Sequence, residues 1–312
     1  MSPRKQAKIL LAVVAAGLIL VTAGCGPTTP AGKSNDHGRT IRAVGAESQY
    51  ADVIRQIGGR YVSVSSIMNN PFADPHAYEA NTVDAELVAA ATLIVQNGSG
   101  YDTFMDHLEA ASPNPKREVI TAAAALGYRG YANNPHLWYR RATMPRVAAL
   151  VEADLSRMDP AHADYFRRRL VAFDRSLGTW YRILAGIKQS FPGAAVAVTE
   201  PVGDYMLQAA GLTIKTPWAF QSAIMNGVDP SPQDMQIQDN LLQQRRVRFF
   251  LYNRQVTESV TVSLLQLARK NHVPVVGIDE IMPPKLHYQN WVAGEATAMQ
   301  RALQKSAGGK TA

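Results

Sequence analysis

The chain has 312 residues, 46% of them hydrophobic and 18% charged, with a formal net charge of +7. This length suits one large domain or two ordinary ones, and the composition excludes a disordered chain. Three of the excess positive charges, Arg4, Lys5 and Lys8, precede residue 26 in a stretch without acidic residues, which leaves +4 for the rest. That excess is too mild to argue for a nucleic-acid partner, and Arg167 to Arg169 read as a solvated helix face.

The chain opens with a basic segment, MSPRKQAK, and an apolar stretch, Ile9 to Val21, too short for a comfortable membrane span. TAGC follows and ends at Cys25, the one cysteine. Small residues before a cysteine resemble a bacterial lipobox, which implies cleavage before Cys25 and lipidation of its sulfur and new amino group. Residues 1–25 are then a lipoprotein signal peptide, and 26–40, rich in Gly, Pro and polar residues, a flexible tether in which His37 is simply solvated. One cysteine allows no internal disulfide, so the fold must stand on its own core.

From Ile41 onward strand-like and helical patterns alternate. IRAVGA, VSVSSIM, TLIVQNG and EVITAA read as strands, separated by helical SQYADVIRQIGG, TVDAELVAAA and YDTFMDHLEAA. TMPRVAALVEADLSRM is helical and stops at Asp159-Pro160, where Asp159 reads as the N-cap of the next helix. Apolar residues at steps of three and four then run from Phe166 to Ile187, one stripe on a helix from Pro160 to Gln189. At about 1.5 Å per residue it would span roughly 45 Å, enough to connect two domains, with Gly178 and Gly186 as its weak points. The alternation restarts: AAVAVTE, LTIKTPWAF, VRFFLYN and VPVVGIDE read as strands among helical segments, and the chain closes on helical NWVAGEATAMQRALQKS. Such alternation predicts parallel βαβ units. The expected fold is α/β: two parallel-sheet α/β lobes, 41–159 and 191–312, joined by one long backbone helix, 160–190.

Residues with chemistry collect at the carboxyl ends of these strands, where open parallel sheets bind ligands. His76, in DPHAYE, lies beyond VSVSSIM; Pro75 makes its surroundings an ordered turn. A second Pro-His pair places His136 in NNPHLWY, Glu200 ends AAVAVTE, and Asp279 and Glu280 end VPVVGIDE. Singly, each has a bland reading as a solvated imidazole or a capping carboxylate. Together on one predicted rim they are better explained by a shared cation. His107 and His162 read as surface residues, His272 as a helix-end residue, and His287 as a neighbour of the site. Trp138, Tyr139 and Trp218 read as packing around a cleft, and Asn253 as a hydrogen-bond partner for a ligand group.

The motifs DPHAYE, NPHLWY, VTEPVGDYMLQAAG and GIDEIMPP resemble those of the metal-specific solute-binding proteins of bacterial ABC transporters, from about Ile41 to Leu303. The resemblance implies two lobes on a long helix with one divalent transition-metal ion, manganese or zinc, in the cleft. It maps the metal ligands onto His76, His136, Glu200 and Glu280, with Asp279 as the alternative fourth ligand. Two imidazoles and two carboxylates favour Mn²⁺ slightly, although Zn²⁺ binds most such sets more tightly. The implied partners are a membrane permease with its ATPase and the membrane itself through a lipid anchor; the protein would be a monomer, extracytoplasmic in the cell envelope. Arg140 and Arg141 depart from the pattern, since positive charge near a cation site weakens binding unless it points away or is paired. An extracytoplasmic metallohydrolase is the enzymatic alternative, but no HExxH, nucleophile elbow or phosphate loop supports it. A surface adhesin with a structural metal is the other.

Overall fold

The computed structural model describes residues 41–308 apart from 73–74, 131–132 and 257; the predicted signal peptide and tether, with Cys25, lie outside the described residues. The first lobe runs β1 (Ile41–Glu47), α1 (Ser48–Gly58), β2 (Val62–Met68), α2 (Thr82–Ala90), β3 (Leu93–Gln96), α3 (Thr103–Ala111), β4 (Glu118–Thr121), α4 (Ala122–Ala125) and α5 (Thr143–Met158). Next come α6 (Ala163–Ser176) and α7 (Gly178–Ser190). The second lobe runs β5 (Ala195–Val198), α8 (Asp204–Ala209), β6 (Thr213–Ile214), α9 (Trp218–Met225), α10 (Pro232–Gln243), β7 (Phe250–Asn253), α11 (Ser259–Lys270), β8 (Val275–Ile278) and α12 (Tyr288–Gly308).

Each lobe holds a four-stranded parallel sheet, ordered β2-β1-β3-β4 in the first and β6-β5-β7-β8 in the second. The strands are covered by helices, which is why β3 is buried along its whole length and β7 nearly so, and why both read as continuous apolar runs. The largest apolar cluster passes from one lobe to the other, with Phe166, Phe173, Trp180, Leu184 and Ile187 of the connecting stripe in its middle. Burial of side chains of this size contributes roughly 1.5–3 kcal/mol each.

The connecting helix departs from the single rod that the apolar stripe predicts. It opens with a 3₁₀ turn, Pro160–His162, and is interrupted at Leu177, whose amide takes the tighter bond to the Asp174 carbonyl at 3.3 Å. The two halves pack differently: α6 lies on α1 and α5 of the first lobe, α7 on α8 and α12 of the second. Asp159 precedes the opening turn, but its carboxylate does not cap it; it meets His162 Nδ1 at 2.6 Å instead. His162 is thus no bare surface residue, and its ring also stacks on Tyr61 with centroids 3.7 Å apart.

A second difference lies in LTIKTPWAF, where the strand is only Thr213–Ile214 and Trp218 opens α9. At Thr216 the side chain bonds the Val198 backbone in place of the main chain, with Val198 N donating to Oγ1 at 2.9 Å. Pro217 then has no amide for a ladder. Trp218 is consequently 44% exposed and does not pack around the cleft, whereas Trp138 and Tyr139 are fully buried.

Gly45 of β1 marks the closest approach of strand and helix: a Cβ there would stand 2.2 Å from the Ala51 amide nitrogen. We expect Gly45→Ala to destabilise the fold by about 1–3 kcal/mol, a fall in Tm of several degrees by calorimetry. Gly178→Ala has only the Arg182 guanidinium at 3.4 Å to meet and should not lower Tm. Equal Tm values for wild type and Gly45→Ala would contradict the packing described.

Candidate metal centre

Four loops at the carboxyl ends of strands each deliver one side chain. His76 sits on the 3₁₀ turn Pro75–Ala77 beyond β2. The far side of its loop is pinned by the capping box of α2, where Asn81 and Asp84 bond each other's main chain and Tyr78 donates to Asp84 at 2.7 Å. His136 precedes the 3₁₀ turn Leu137–Tyr139. Glu200, extended at φ −153°, precedes the turn that Pro201 opens after β5. Glu280 lies two residues past β8.

One ligand atom from each of His76, His136, Glu200 and Glu280 lies within 4.8 Å of all the others. His136, Glu200 and Glu280 are fully buried, while the His76 side chain is 28% exposed and borders a cavity of about 380 Å³ shared with Ile224, Val256 and Glu258.

Glu280 is held from all sides. Its carboxylate meets His76 Nε2 at 3.4 Å and His136 Nε2 at 3.3 Å, and accepts hydrogen bonds from Tyr101 Oη at 2.8 Å and from Asn253 Nδ2. Gln255 Oε1 accepts both the Glu280 and Ile281 amides, at 2.6 and 2.9 Å. Gln49 of α1 reaches across from the other lobe to donate to the Glu280 carbonyl at 3.1 Å. Burial works to raise the carboxyl, but the imidazoles, His136 first, outweigh it and hold it well below the usual carboxylate range. For His136, burial dominates and pushes the imidazole down. The two groups thus act on each other across one short contact.

The tautomer of that imidazole follows from its neighbour. His136 Nδ1 lies 2.8 Å from Asn134 Oδ1, an atom that only accepts, and the Asn134 amide is oriented by its own donation to the Pro201 carbonyl at 2.7 Å. Nδ1 therefore carries the proton, and the Nε2 lone pair faces the Glu280 oxygen. Two electron-rich atoms 3.3 Å apart, both on fully buried side chains, form an arrangement that a shared cation would stabilise.

Asp279 is not part of this set. It forms a two-pronged pair with Arg254, at 2.6 and 2.5 Å, so of the two adjacent carboxylates only Glu280 meets the histidines. His287 pairs with Asp52 at 2.8 Å, outside the cluster; His107 is exposed on α3. Arg140 and Arg141 lie over aromatic rings, Arg140 against Tyr128 and Tyr205 and Arg141 over Tyr181 at 4.4 Å. Sequence reasoning missed Tyr101, Asn134, Gln255 and Gln49, whose roles depend on contacts between distant segments. Asn134, two residues before His136 in a Pro-containing turn, carried the one local signal.

Behind the site, Glu295 of α12 joins two of its loops. Tyr139 Oη lies 2.5 Å from the Asp279 carbonyl and 2.6 Å from Glu295 Oε2. Glu295 Oε1 accepts the Asp279 amide at 3.0 Å and the Trp291 indole at 2.9 Å. A phenol has one proton, and the carbonyl can only accept it. The bond between Tyr139 and Glu295 then needs a proton on Glu295. Burial, the largest influence on this carboxyl, pushes it in the same direction, up to about 8.

The sequence profile of the family described as zinc-uptake complex component A, periplasmic (ZnuA), matches residues 44–302. The chain belongs to this family. The family is one of uptake components rather than enzymes, which sets aside the metallohydrolase alternative. Among curated relatives, the manganese-binding lipoprotein MntA of Bacillus subtilis is 30% identical over 165 residues, covering 49% of this chain and 51% of the relative. The zinc-binding protein TroA of Treponema pallidum is 22% identical over 204 residues, covering 63% and 65%. The chain thus spans about half to two thirds of the length of the curated relatives it matches. Among solved structures, TroA superposes with a TM-score of 0.72 at 20% identity, covering 85% of this chain and 99% of that one. The Mn²⁺ complex of FpvC from Pseudomonas aeruginosa gives 0.70 at 21% identity, covering 86% and 100%. The two-lobed α/β fold is that of the family. Cell adhesion finds no support in these relatives.

The Glu295 geometry makes a signed prediction. With a folded value near 8 and an unfolded value near 4.3, the folded state holds a proton through that window that the unfolded state has lost. Stability from this group is full below the lower value and falls as pH rises to about 8. Glu295→Gln supplies the same donor and acceptor without the titration. In urea unfolding it should match wild type near pH 3.5 and exceed it by at least about 1 kcal/mol near pH 8. A Gln variant weaker than wild type at both pH values would mean that Glu295 is ionised.

Proposed function

We propose that the protein captures one divalent transition-metal ion outside the cytoplasm and delivers it to an ABC-transporter permease driven by its ATPase. His76 and His136 from lobe 41–159 and Glu200 and Glu280 from lobe 191–312 are the ligands, with 160–190 as the connecting backbone. The facing pair of His136 Nε2 and Glu280 Oε2, 3.3 Å apart with the Nδ1 proton committed to Asn134, carries this reading. Donors about 2.0–2.2 Å from one ion lie at most about 4.4 Å from each other, so a set within 4.8 Å closes on one ion with sub-ångström adjustment. Asn253 and Tyr101 orient the Glu280 carboxylate toward the ion.

Two carboxylates and two imidazoles make the site harder than a three-histidine set, and we favour Mn²⁺ slightly over Zn²⁺ as cargo. The names of relatives such as MntA, a manganese-binding lipoprotein, support both this cargo and a lipid anchor on Cys25. The protein then works as a lipid-anchored monomer at the outer face of a membrane, with no nucleic-acid partner. Elemental analysis of protein purified without chelator, followed by competition between Mn²⁺ and Zn²⁺, tests the reading; protein that carries and rebinds neither ion would end it.

For chelator-stripped protein we expect His76→Ala and His136→Ala each to lower metal affinity at least tenfold in direct titration, since loss of a ligand should exceed the ~10–100-fold typical of supporting groups. Glu280→Gln should lose much more affinity than Asp279→Asn, whose carboxylate is already engaged by Arg254; the reverse order would make Asp279 the ligand. Affinity should also fall with pH as protons compete for the ligands.

Cys25→Ala should leave unprocessed precursor or release the protein to the soluble fraction, because acyl chains contribute about 0.8 kcal/mol per buried CH₂ and more than one is needed for stable anchoring. Normal processing with full membrane retention in this variant would contradict lipidation at Cys25.

A further inference from the structure

The second lobe carries a cavity of about 440 Å³ lined by Arg245, Arg246, Arg248, His272 and Lys305. It opens where β5, β7 and β8 begin, beside Ala195, Arg248 and Pro274. The four ligand loops lie at the opposite ends of the strands: Asn253, which ends β7, bonds Glu280. The length of β7 thus separates the two, roughly 13 Å at about 3.3 Å per residue.

Three observations set this cavity apart from an ordinary solvated surface. Its cations come from three places in the chain: the turn after α10, the turn after α11, and α12. None of the four Arg and Lys side chains has a carboxylate partner among the described residues, where the Arg ion pairs are those of Arg157, Arg167 and Arg254. Finally, Arg245 and His272 each follow a helix with φ of 50° and 56°, in the left-handed conformation usually taken by Gly or Asn. Two cationic residues stand in strained positions where glycine would be easier, and both line the same cavity.

Helix ends account for part of this. Arg245 Nε donates to the Asn271 carbonyl at 2.7 Å and Arg248 Nη1 to the Ser306 carbonyl at 3.4 Å, so these side chains cap α11 and meet α12. Three helix C-termini supply at most about half a negative charge each, roughly 1.5 charges against four. More than two positive charges then remain without a protein counter-charge around one concave space, screened by solvent alone, and an anion there would relieve their mutual repulsion. Guanidinium groups match phosphate oxygens in pairs, and lysine adds a point charge. The volume is many times the roughly 30 Å³ of a water molecule, enough for a phosphate group and part of its carrier.

We propose that this cavity binds a phosphate-bearing anion, independently of the metal centre. The test uses chelator-stripped protein that begins at residue 26, ahead of the whole described fold, so that neither a bound metal nor the N-terminal membrane anchor can report in place of this cavity. Inorganic phosphate and pyrophosphate are titrated calorimetrically, and sedimentation with phosphatidylglycerol vesicles is compared with phosphatidylcholine. The variant is Arg246→Gln with Lys305→Gln, two exposed side chains whose replacement leaves the helix caps in place. We expect saturable one-to-one binding of pyrophosphate, tighter than of phosphate, weakened at least tenfold in the double variant while its Mn²⁺ titration is unchanged. Binding to phosphatidylglycerol vesicles that is lost in the same variant would identify a lipid headgroup as the source; saturable binding of the soluble anions alone would identify a free phosphate compound. Absence of saturable binding to every probe, or binding that the double variant retains, overturns the proposal.

Discussion

A fully buried, ionised carboxylate is the constraint on which the rest of the site depends. Glu280 has no exposed surface, and an isolated charge there would be prohibitively costly. The fold answers with donors from both lobes: Tyr101 from the first and Asn253 from the second reach the carboxylate, and Gln49 and Gln255 hold its main chain from opposite sides. The alignment of the two lobes is therefore tied to the position of a single side chain. Removing one partner of such a group costs more than the bond itself, because the charge stays buried.

The two lobes solve the same topological problem twice. Each sheet places its first strand beside its second and third, and the loops that leave the carboxyl ends converge on one point. The connector serves each lobe with a separate half, α6 and α7, and the apolar cluster runs through both. Below these loops, the chain from Glu295 through Tyr139 to the Asp279 carbonyl ties the His136 segment to the Glu280 segment without using either of those side chains.

Much of this was legible in the sequence, for identifiable reasons. Parallel strands announce themselves as apolar runs, and Pro75, Pro135 and Pro201 mark the turns beside three of the four side chains brought together here. The register of Asp279 and Glu280 was not derivable from alternation alone, because β8 ends at Ile278 and both residues lie past it; the Arg254 pair decides which way each points. The interruption at Leu177 falls beside Gly178, one of the two weak points marked in the sequence, whereas the apolar stripe does not record it because it survives a one-residue change in hydrogen bonding. The strand over LTIKTPWAF failed where a threonine hydroxyl replaced the main chain in the ladder. Gln49 and Glu295 were silent because partners more than a hundred residues away define them, and Gln255 because its partners lie 25 and 26 residues on, past another helix and strand; no periodicity records that.

The uneven exposure of the four side chains bears on how an ion held there would exchange. Three of them are sealed, and only the His76 imidazole borders open space. Were an ion held among these four side chains, it would meet this ring first on arrival and shed its remaining waters inward, toward the carboxylates. Departure would run the same sequence backwards, one bond loosening at the rim while three still held. An ion in that half-released state would present vacant coordination positions to the outside, open to an acceptor before the inner groups let go. Such a transfer would pass hand to hand, without the bare ion crossing water alone.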